Sequence, residues 1–226
     1  MDGFKFVSKN EYIEFKNKIN ELISYIQHDI KSIFTFSFKY IGPCQRNMVT
    51  FNEAKYIGFD FNIRFYINDN ERSADEIKNI FIKSINNYLR VNGNDELVDD
   101  INGIRILFND ENYLVLKHTL DIELVRKTDN GDIQYIKKKN NNYIWCKETI
   151  GNLSLDDKYD LLIECGLKDF IKYQYLKRRN NEPNKKSIII FEECIAAIYH
   201  EFYDNERSFL WLGRYLQISS SFLFVS

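Results

Sequence analysis

The hydrophobic period of this chain switches abruptly at Phe34, and no other feature restricts its fold as tightly. Before the switch, Tyr12, Phe15, Ile19, Leu22, Ile23, Ile26, Ile30 and Ile33 recur at steps of three and four residues. That spacing gathers them on one face of a helix. Ser8 followed by Glu11 supplies a capping-box start. After the switch, Phe34, Phe36, Phe38 and Tyr40 alternate with Thr35, Ser37, Lys39 and Ile41. A period of two is a strand, and its aromatic stripe is expected in the core. The strand stops at Gly42-Pro43. An amphipathic helix that runs straight into an alternating strand opens an α+β module.

The pattern continues in kind. Over residues 59–67, Phe59, Phe61, Ile63, Phe65 and Ile67 share one face of a second strand, and Asp60, Asn62, Arg64 and Tyr66 share the other. Ser73 and Glu76 form another capping box, and Ile77, Ile80, Phe81, Ile85 and Leu89 carry a helix to about Arg90. Residues 104–108 and 113–117 read as a hairpin turning at Asn109-Asp110, followed by a strand over 120–126. Short strands are expected near 133–136 and 143–145. From Ser154 the pattern is helical to about Arg179, breaks at Asn180-Asn181-Glu182-Pro183, and resumes from about Ser187 to Tyr203. The expected organisation is an α+β domain over residues 1–150 and a helical region over 151–226.

Composition narrows the function classes. With 226 residues, 44% hydrophobic and 28% charged, the mix is globular. Lys+Arg total 31 against 33 Asp+Glu, a formal net charge of −2, so no concentrated positive surface marks a nucleic-acid binder. Cys44, Cys146, Cys165 and Cys194 form no Cys-x-x-Cys pair and give a zinc site no support. The opening Met1-Asp2-Gly3-Phe4-Lys5 lacks a signal-peptide layout, and no apolar run approaches the roughly 20 residues of a membrane helix. Free thiols in a reducing cytoplasm, with no membrane contact, are the expectation.

The chemistry-bearing set is Gly42, then Asp60 and Asn62, then Asp121 and Glu123. Alternation places Asp60 and Asn62 on one strand face, about 6.6–6.8 Å apart along the strand, and does the same for Asp121 and Glu123. Oxygen ligands on neighbouring strands are what Mg²⁺ requires, and two such ions clamp the oxygens of a phosphoryl transfer. The arrangement resembles the polymerase-β-type nucleotidyltransferase superfamily: a Gly-Ser or Gly-Gly at a strand end, an acidic-x-acidic strand, and a third carboxylate on a later strand. The matching segments are Tyr40-Ile41-Gly42-Pro43, Gly58-Phe59-Asp60-Phe61-Asn62-Ile63 and Leu120-Asp121-Ile122. The resemblance covers roughly residues 30–126.

That resemblance implies a nucleotidyltransferase-like mixed β-sheet flanked by helices, with a helical C-terminal extension. It implies transfer of a nucleoside monophosphate from an NTP to an acceptor, whether a small molecule, an RNA end or a protein hydroxyl. By the same resemblance Asp60, Asn62 and Asp121 are the catalytic set, and Mg²⁺ sits on Asp60, Asn62, Asp121 and Glu123. Gly42, Pro43, Cys44, Gln45, Arg46 and Asn47 cradle the triphosphate. Two residues depart from the pattern. Pro43 stands where Ser or Gly is usual and removes a backbone N–H. Asn62 stands where a second carboxylate is usual and brings an oxygen without a charge. A catalytically silent protein of the same fold, serving as a nucleotide-binding or protein-interaction module, is the alternative.

Simpler assignments compete at each position. Asp121 and Glu123 pair with Arg64, Arg105 or Lys117 across the sheet in a purely structural arrangement. Cys44 is inert. Lys137-Lys138-Lys139 and Lys177-Arg178-Arg179 are solvated ends of elements. His28, His118 and His200 lack Ser or Cys partners at a nucleophile's spacing.

Overall fold

A computed structural model describes residues 3–92, 96–100, 103–109, 116–147 and 153–203. It divides into two compact units, residues 1–149 and 150–226. The first holds a seven-stranded sheet with path β2-β4-β7-β6-β5, extended from β7 through β8 to β9. Its strands are β2 (Thr35–Tyr40), β4 (Ile57–Asn68), β5 (Glu96–Asp100), β6 (Gly103–Asn109), β7 (Lys117–Lys127), β8 (Ile133–Lys139) and β9 (Asn142–Lys147). Among the described residues only β4 and β7 pair parallel; the other ladders are antiparallel. A separate two-stranded piece joins β1 (Lys5–Phe6) to β3 (Thr50–Phe51).

Helices α1 (Lys9–Ile30) and α2 (Ala74–Asn92) close one side of this sheet. Ile19, Leu22, Ile23 and Ile26 of α1 and Ile77, Phe81 and Ile85 of α2 are buried with Phe61, Ile63, Phe65, Ile104, Ile106, Leu120, Ile122 and Leu124 in one core. Each helix starts where the sequence says. The Ser8 N–H donates to the Glu11 carboxylate at 2.7 Å. Ser73 donates to Glu76 from its N–H (2.8 Å) and hydroxyl (2.7 Å), and the Glu76 N–H returns to Ser73 Oγ at 3.2 Å. Ordering an N–H otherwise lost to the helix end stabilises it by about 1 kcal/mol.

The β8–β9 hairpin is held to α2 by polar contacts. Lys78, fully buried, donates to the Asp100 carbonyl at 2.7 Å and lies 3.5 Å from the centre of the Tyr143 ring. The Tyr143 N–H donates to Asp75 at 2.9 Å. A buried ammonium is tolerated because a carbonyl dipole and a ring face replace its water.

Several expectations are corrected. Ile33 lies past the end of α1 and is 43% exposed, so the apolar stripe stops at Ile30. Phe38 is 37% exposed although Phe34 and Phe36 are buried; β2 is an edge strand, and its outer end is left partly uncovered. β6 pairs directly with β7, which runs unbroken through Lys117 and Leu120, so Lys117, expected in a separate strand over 113–117, opens β7. Tyr113 itself lies outside the described residues, as does the tail from 207. β5 forms between α2 and β6, where the sequence carries no strand pattern.

The second unit contains α3 (Leu155–Glu164), α4 (Lys168–Asn181) and α5 (Ser187–Tyr203). The single helix expected from Ser154 is two. Gly166 at φ +77° turns the chain between them, a conformation that L side chains rarely adopt. Arg179 is not a solvated helix end. It is 1% exposed and donates to the Lys185 carbonyl at 2.7 Å, satisfying the end of the α4–α5 connection.

A charged sheet face and a closed loop

The face of the sheet opposite α1 and α2 carries the residues singled out by chemistry. Register fixes their neighbours. Arg105 on β6 lies beside Asp121 on β7, and Asp121 lies beside Asn62 on β4, forming one row across three strands. The next row runs Glu123, Arg64, Lys39. Asp60 occupies the row before, beside Thr119. Asp60, Asn62, Asp121 and Glu123 thus share one face, with Gly42 where β2 ends beside β4: the Ile41 N–H donates to the Asn62 carbonyl at 2.9 Å.

Two carboxylates of this face, Asp121 and Glu123, are already engaged. Arg105 grips Asp121 with both prongs, Nε to Oδ1 at 2.9 Å and Nη2 to Oδ2 at 2.8 Å. Arg64 Nε donates to Glu123 Oε2 at 2.9 Å. The alternative pairing set out from the sequence holds for both residues, while Lys117 turns instead to Glu96 at 3.8 Å. A planar guanidinium meeting a carboxylate fork-to-fork is the strongest form of such a pair. Two members of that row are dry: Asn62 is 2% and Asp121 7% exposed. Bonding to Asp121 holds the Arg105 guanidinium above its ordinary range, against desolvation, with the charges of Asp121, Asp60 and Asp100 adding to the effect.

The loop after β2 is folded in on itself. Gly42 has φ +65°, which favours glycine, and it leads into a one-turn 3-10 helix of Gly42, Pro43 and Cys44, all buried. The Pro43 carbonyl accepts the N–H groups of Arg46 (3.1 Å) and Met48 (2.9 Å). The Cys44 thiol lies against β4: Sγ donates to the Ile41 carbonyl at 3.0 Å, and the Asn62 N–H points to it at 3.4 Å. Burial pushes this thiol up to about 12, with nearby Asp60 adding to the shift, so it is an inert anchor. Gln45 and Arg46 are half-buried; exposed Asn47, at φ +55°, accepts the Tyr12 hydroxyl at 3.1 Å. A phosphate cradle needs outward N–H groups, and the Arg46 and Met48 amides of this loop are spent inside it.

The set fits Mg²⁺ poorly. Among the described residues no group of three or more His, Cys, Asp or Glu side chains is placed to hold a metal ion. Both Asp121 oxygens are bound by Arg105, and Asn62 brings no charge. Mg²⁺ dehydrates reluctantly and demands near-octahedral oxygens, so it would have to displace a permanent cation from a bidentate pair. Elsewhere in this unit, a cavity of about 490 Å³ bordered by Glu14, Lys18, Glu21, Tyr88, Phe108 and His118 adjoins α1. His118, missed as a structural residue, accepts the Phe59 N–H on Nδ1 at 2.9 Å and stacks on the Phe59 ring at 4.7 Å. Gly58 leaves room for that imidazole.

No family model matches the chain, and no curated protein matches it. Solved structures do. DncV of Vibrio cholerae in its GTP-bound form is similar with a TM-score of 0.52 and 12% identity, over 82% of this chain and 50% of that one. The 3'-deoxy-ATP-bound form of DncV gives a TM-score of 0.50 and 11% identity, over 82% and 51%. DncV is a cyclic AMP-GMP synthase. The chain spans about half the length of these structures. No helix among the described residues is long and apolar enough to cross a membrane. The mixed sheet with its one parallel pair, the helices on its apolar side and the Gly42 turn beside the acidic strand together give this protein the fold of the polymerase-β-type nucleotidyltransferases.

Proposed function

We propose that this protein is a catalytically silent nucleotidyltransferase-fold module that binds a nucleotide without Mg²⁺. The observation that carries the reading is the bidentate Arg105–Asp121 pair. It puts a permanent cation against the carboxylate that the two-metal chemistry needs unoccupied. Pro43 and the inward amides of Arg46 and Met48 support the same reading, because they weaken a backbone cradle for a triphosphate. Nucleotide recognition would then rest on side chains, with Gln45 and Arg46 on the loop and the partly exposed Arg64 and Arg105 on the sheet face. In this reading NTP is the ligand, and no acceptor is required.

The test is a set of melting curves with GTP or ATP, in EDTA and in Mg²⁺, joined to a pyrophosphate assay. Stabilisation follows RT ln(1 + [L]/Kd), about 2.7 kcal/mol at a hundredfold excess over Kd. Equal shifts with and without metal, and no pyrophosphate, are expected.

A second reading is favoured by the shared face of Asp60, Asn62 and Asp121 beside the Gly42 turn. In it the protein moves a nucleoside monophosphate from an NTP to a small molecule, an RNA end or a protein hydroxyl, and Mg²⁺ binding separates Asp121 from Arg105. Stabilisation by NTP only with Mg²⁺, pyrophosphate release, and tighter Mg²⁺–NTP binding by Asn62→Asp would favour it over the first.

A further inference from the structure

We propose that the open edge of β2 is a self-pairing surface, and that a second copy of this chain adds its own β2 antiparallel across a two-fold axis through Phe38. The proposal rests on the fold and is independent of the nucleotide reading. Register shows which backbone groups are open. The Ile41 N–H donates to the Asn62 carbonyl, so residues 35, 37, 39 and 41 turn their backbone groups toward β4. Phe36, Phe38 and Tyr40 turn theirs to the outer edge. The Phe36 carbonyl confirms the direction, since the Gln27 side chain reaches it from α1 at 3.3 Å. Among the described residues nothing bonds the outward amides and carbonyls of Phe38 and Tyr40. An unpaired edge is a template for another strand, and proteins blunt it with proline, a bulge or charges. Residues 35–40 contain no proline, their ladder to β4 has no break in register, and they carry one charge, Lys39.

The sequence of the strand selects its partner. Phe36, Phe38 and Tyr40 share one face, and Ser37 and Lys39 the other, so the pattern is symmetric about Phe38. An antiparallel copy centred there sets Phe38 beside the partner's Phe38, Phe36 beside the partner's Tyr40, and Lys39 beside the partner's Ser37. Aromatic side chains meet aromatic ones, and no like charges stand opposite each other. Other centres do worse. A centre at Lys39 brings two ammonium groups face to face. A centre at Ser37 calls on the Phe34 N–H, which already donates to the Ile30 carbonyl at 3.3 Å. A centre at Phe36 meets the carbonyl held by Gln27, and one at Tyr40 runs past the strand into the Gly42 turn. A surface that pairs with itself in this way closes as a dimer and covers both copies of β2.

The test is sedimentation of the full chain over a dilution series. The average mass of wild type is expected to rise from 27.1 kDa toward twice that value as concentration increases. Phe38→Glu and Phe38→Lys each set like charges against each other at the axis, and each is expected to associate about tenfold more weakly. Mixed in equal amounts they set Glu against Lys, and the mixture is expected to recover the association that each lacks alone. Ile144→Glu, on the opposite edge strand β9 and as exposed as Phe38, is expected to associate like wild type. Wild type that holds 27.1 kDa across the series overturns the proposal. So does a mixture that stays as weak as its two components, or an Ile144→Glu protein that no longer dimerises, because the contact would then lie elsewhere. The mixing result compares two variants of one position, so a general loss of stability does not imitate it.

Discussion

The two faces of the β4–β7 pair are built from alternate residues of the same two strands, and they are specified in different ways. On the face toward α1 and α2, Phe61, Ile63 and Phe65 meet Leu120, Ile122 and Leu124. Burial there is non-directional, so any apolar residues of suitable volume would hold the sheet to the helices. On the other face, Asn62, Arg64, Asp121, Glu123 and Arg105 depend on which residue stands opposite which. A shift of one residue in register would turn every one of these side chains to the wrong side. Stability therefore resides mainly in the apolar face, and the identity of the protein's chemistry in the charged one.

The largest expected effect comes from breaking the apolar face. Phe61 is 1% exposed and edge-packed against Phe15 at 5.4 Å and Tyr12 at 5.6 Å. Phe61→Ala should cost about 3–5 kcal/mol, seen as a lower urea midpoint. The charged face should respond less, and in a way that depends on which partner is left behind. Asp121→Ala strands Arg105 on a largely buried face and should cost about 3 kcal/mol, softened because the Arg105 side chain is 27% exposed. Replacing both partners, Arg105→Met with Asp121→Leu, should return to within about 1 kcal/mol of wild type. A double variant as unstable as Asp121→Ala would mean that the pair holds the sheet together, and the comparison of the two faces would fail.

This contrast also explains what the sequence reveals. Alternation over Phe59–Ile67 and 120–126 is a one-dimensional pattern, so the strands, their buried faces and the shared side of Asp60, Asn62 and Asp121 were all readable. The α+β class and the turn at Gly42-Pro43 followed from the same signals. The pairing of Arg105 with Asp121 is readable only as one option among three, because alternation assigns a side chain to a face without fixing which residue of the next strand stands opposite it. The loop shows the limit of reading polarity from sequence. Cys44, Gln45, Arg46 and Asn47 look polar in sequence, yet Gly42, Pro43 and Cys44 are buried, because a one-turn helix lets the thiol bond to β4. Gly166 was a visible signal inside a helical pattern, and its positive φ is why one expected helix is two.

A smaller effect tests how the apolar face is reinforced from outside. Ser73 caps α2, whose inner residues Ile77 and Phe81 are part of the shared core. Ser73→Ala removes a hydroxyl at the helix start and should cost about 1 kcal/mol, measured by chemical denaturation. No change in nucleotide or metal response should accompany it, since Ser73 lies on neither row of the charged face.

The smallest expected effect lies where the charged face turns dry, at Cys44. Its thiol is raised from 9.0 to about 12, chiefly by burial, with Asp60 contributing. The folded protein keeps this proton while the unfolded chain releases it. The stability from a neutral buried thiol is therefore complete below about pH 9 and is lost progressively as the pH rises toward 12. At pH 9.5 the loss should be just under about 1 kcal/mol relative to neutral pH. Cys44→Ser keeps a hydrogen-bonding group but does not titrate in this range. Its stability should fall less between pH 8 and about pH 9.5 than that of wild type, with the difference read from urea midpoints at each pH. Cys194, also raised by burial, to about 11, is present in both proteins and cancels. Equal slopes would show that Cys44 reaches water, and the loop would then be open enough for its amides to meet a phosphate.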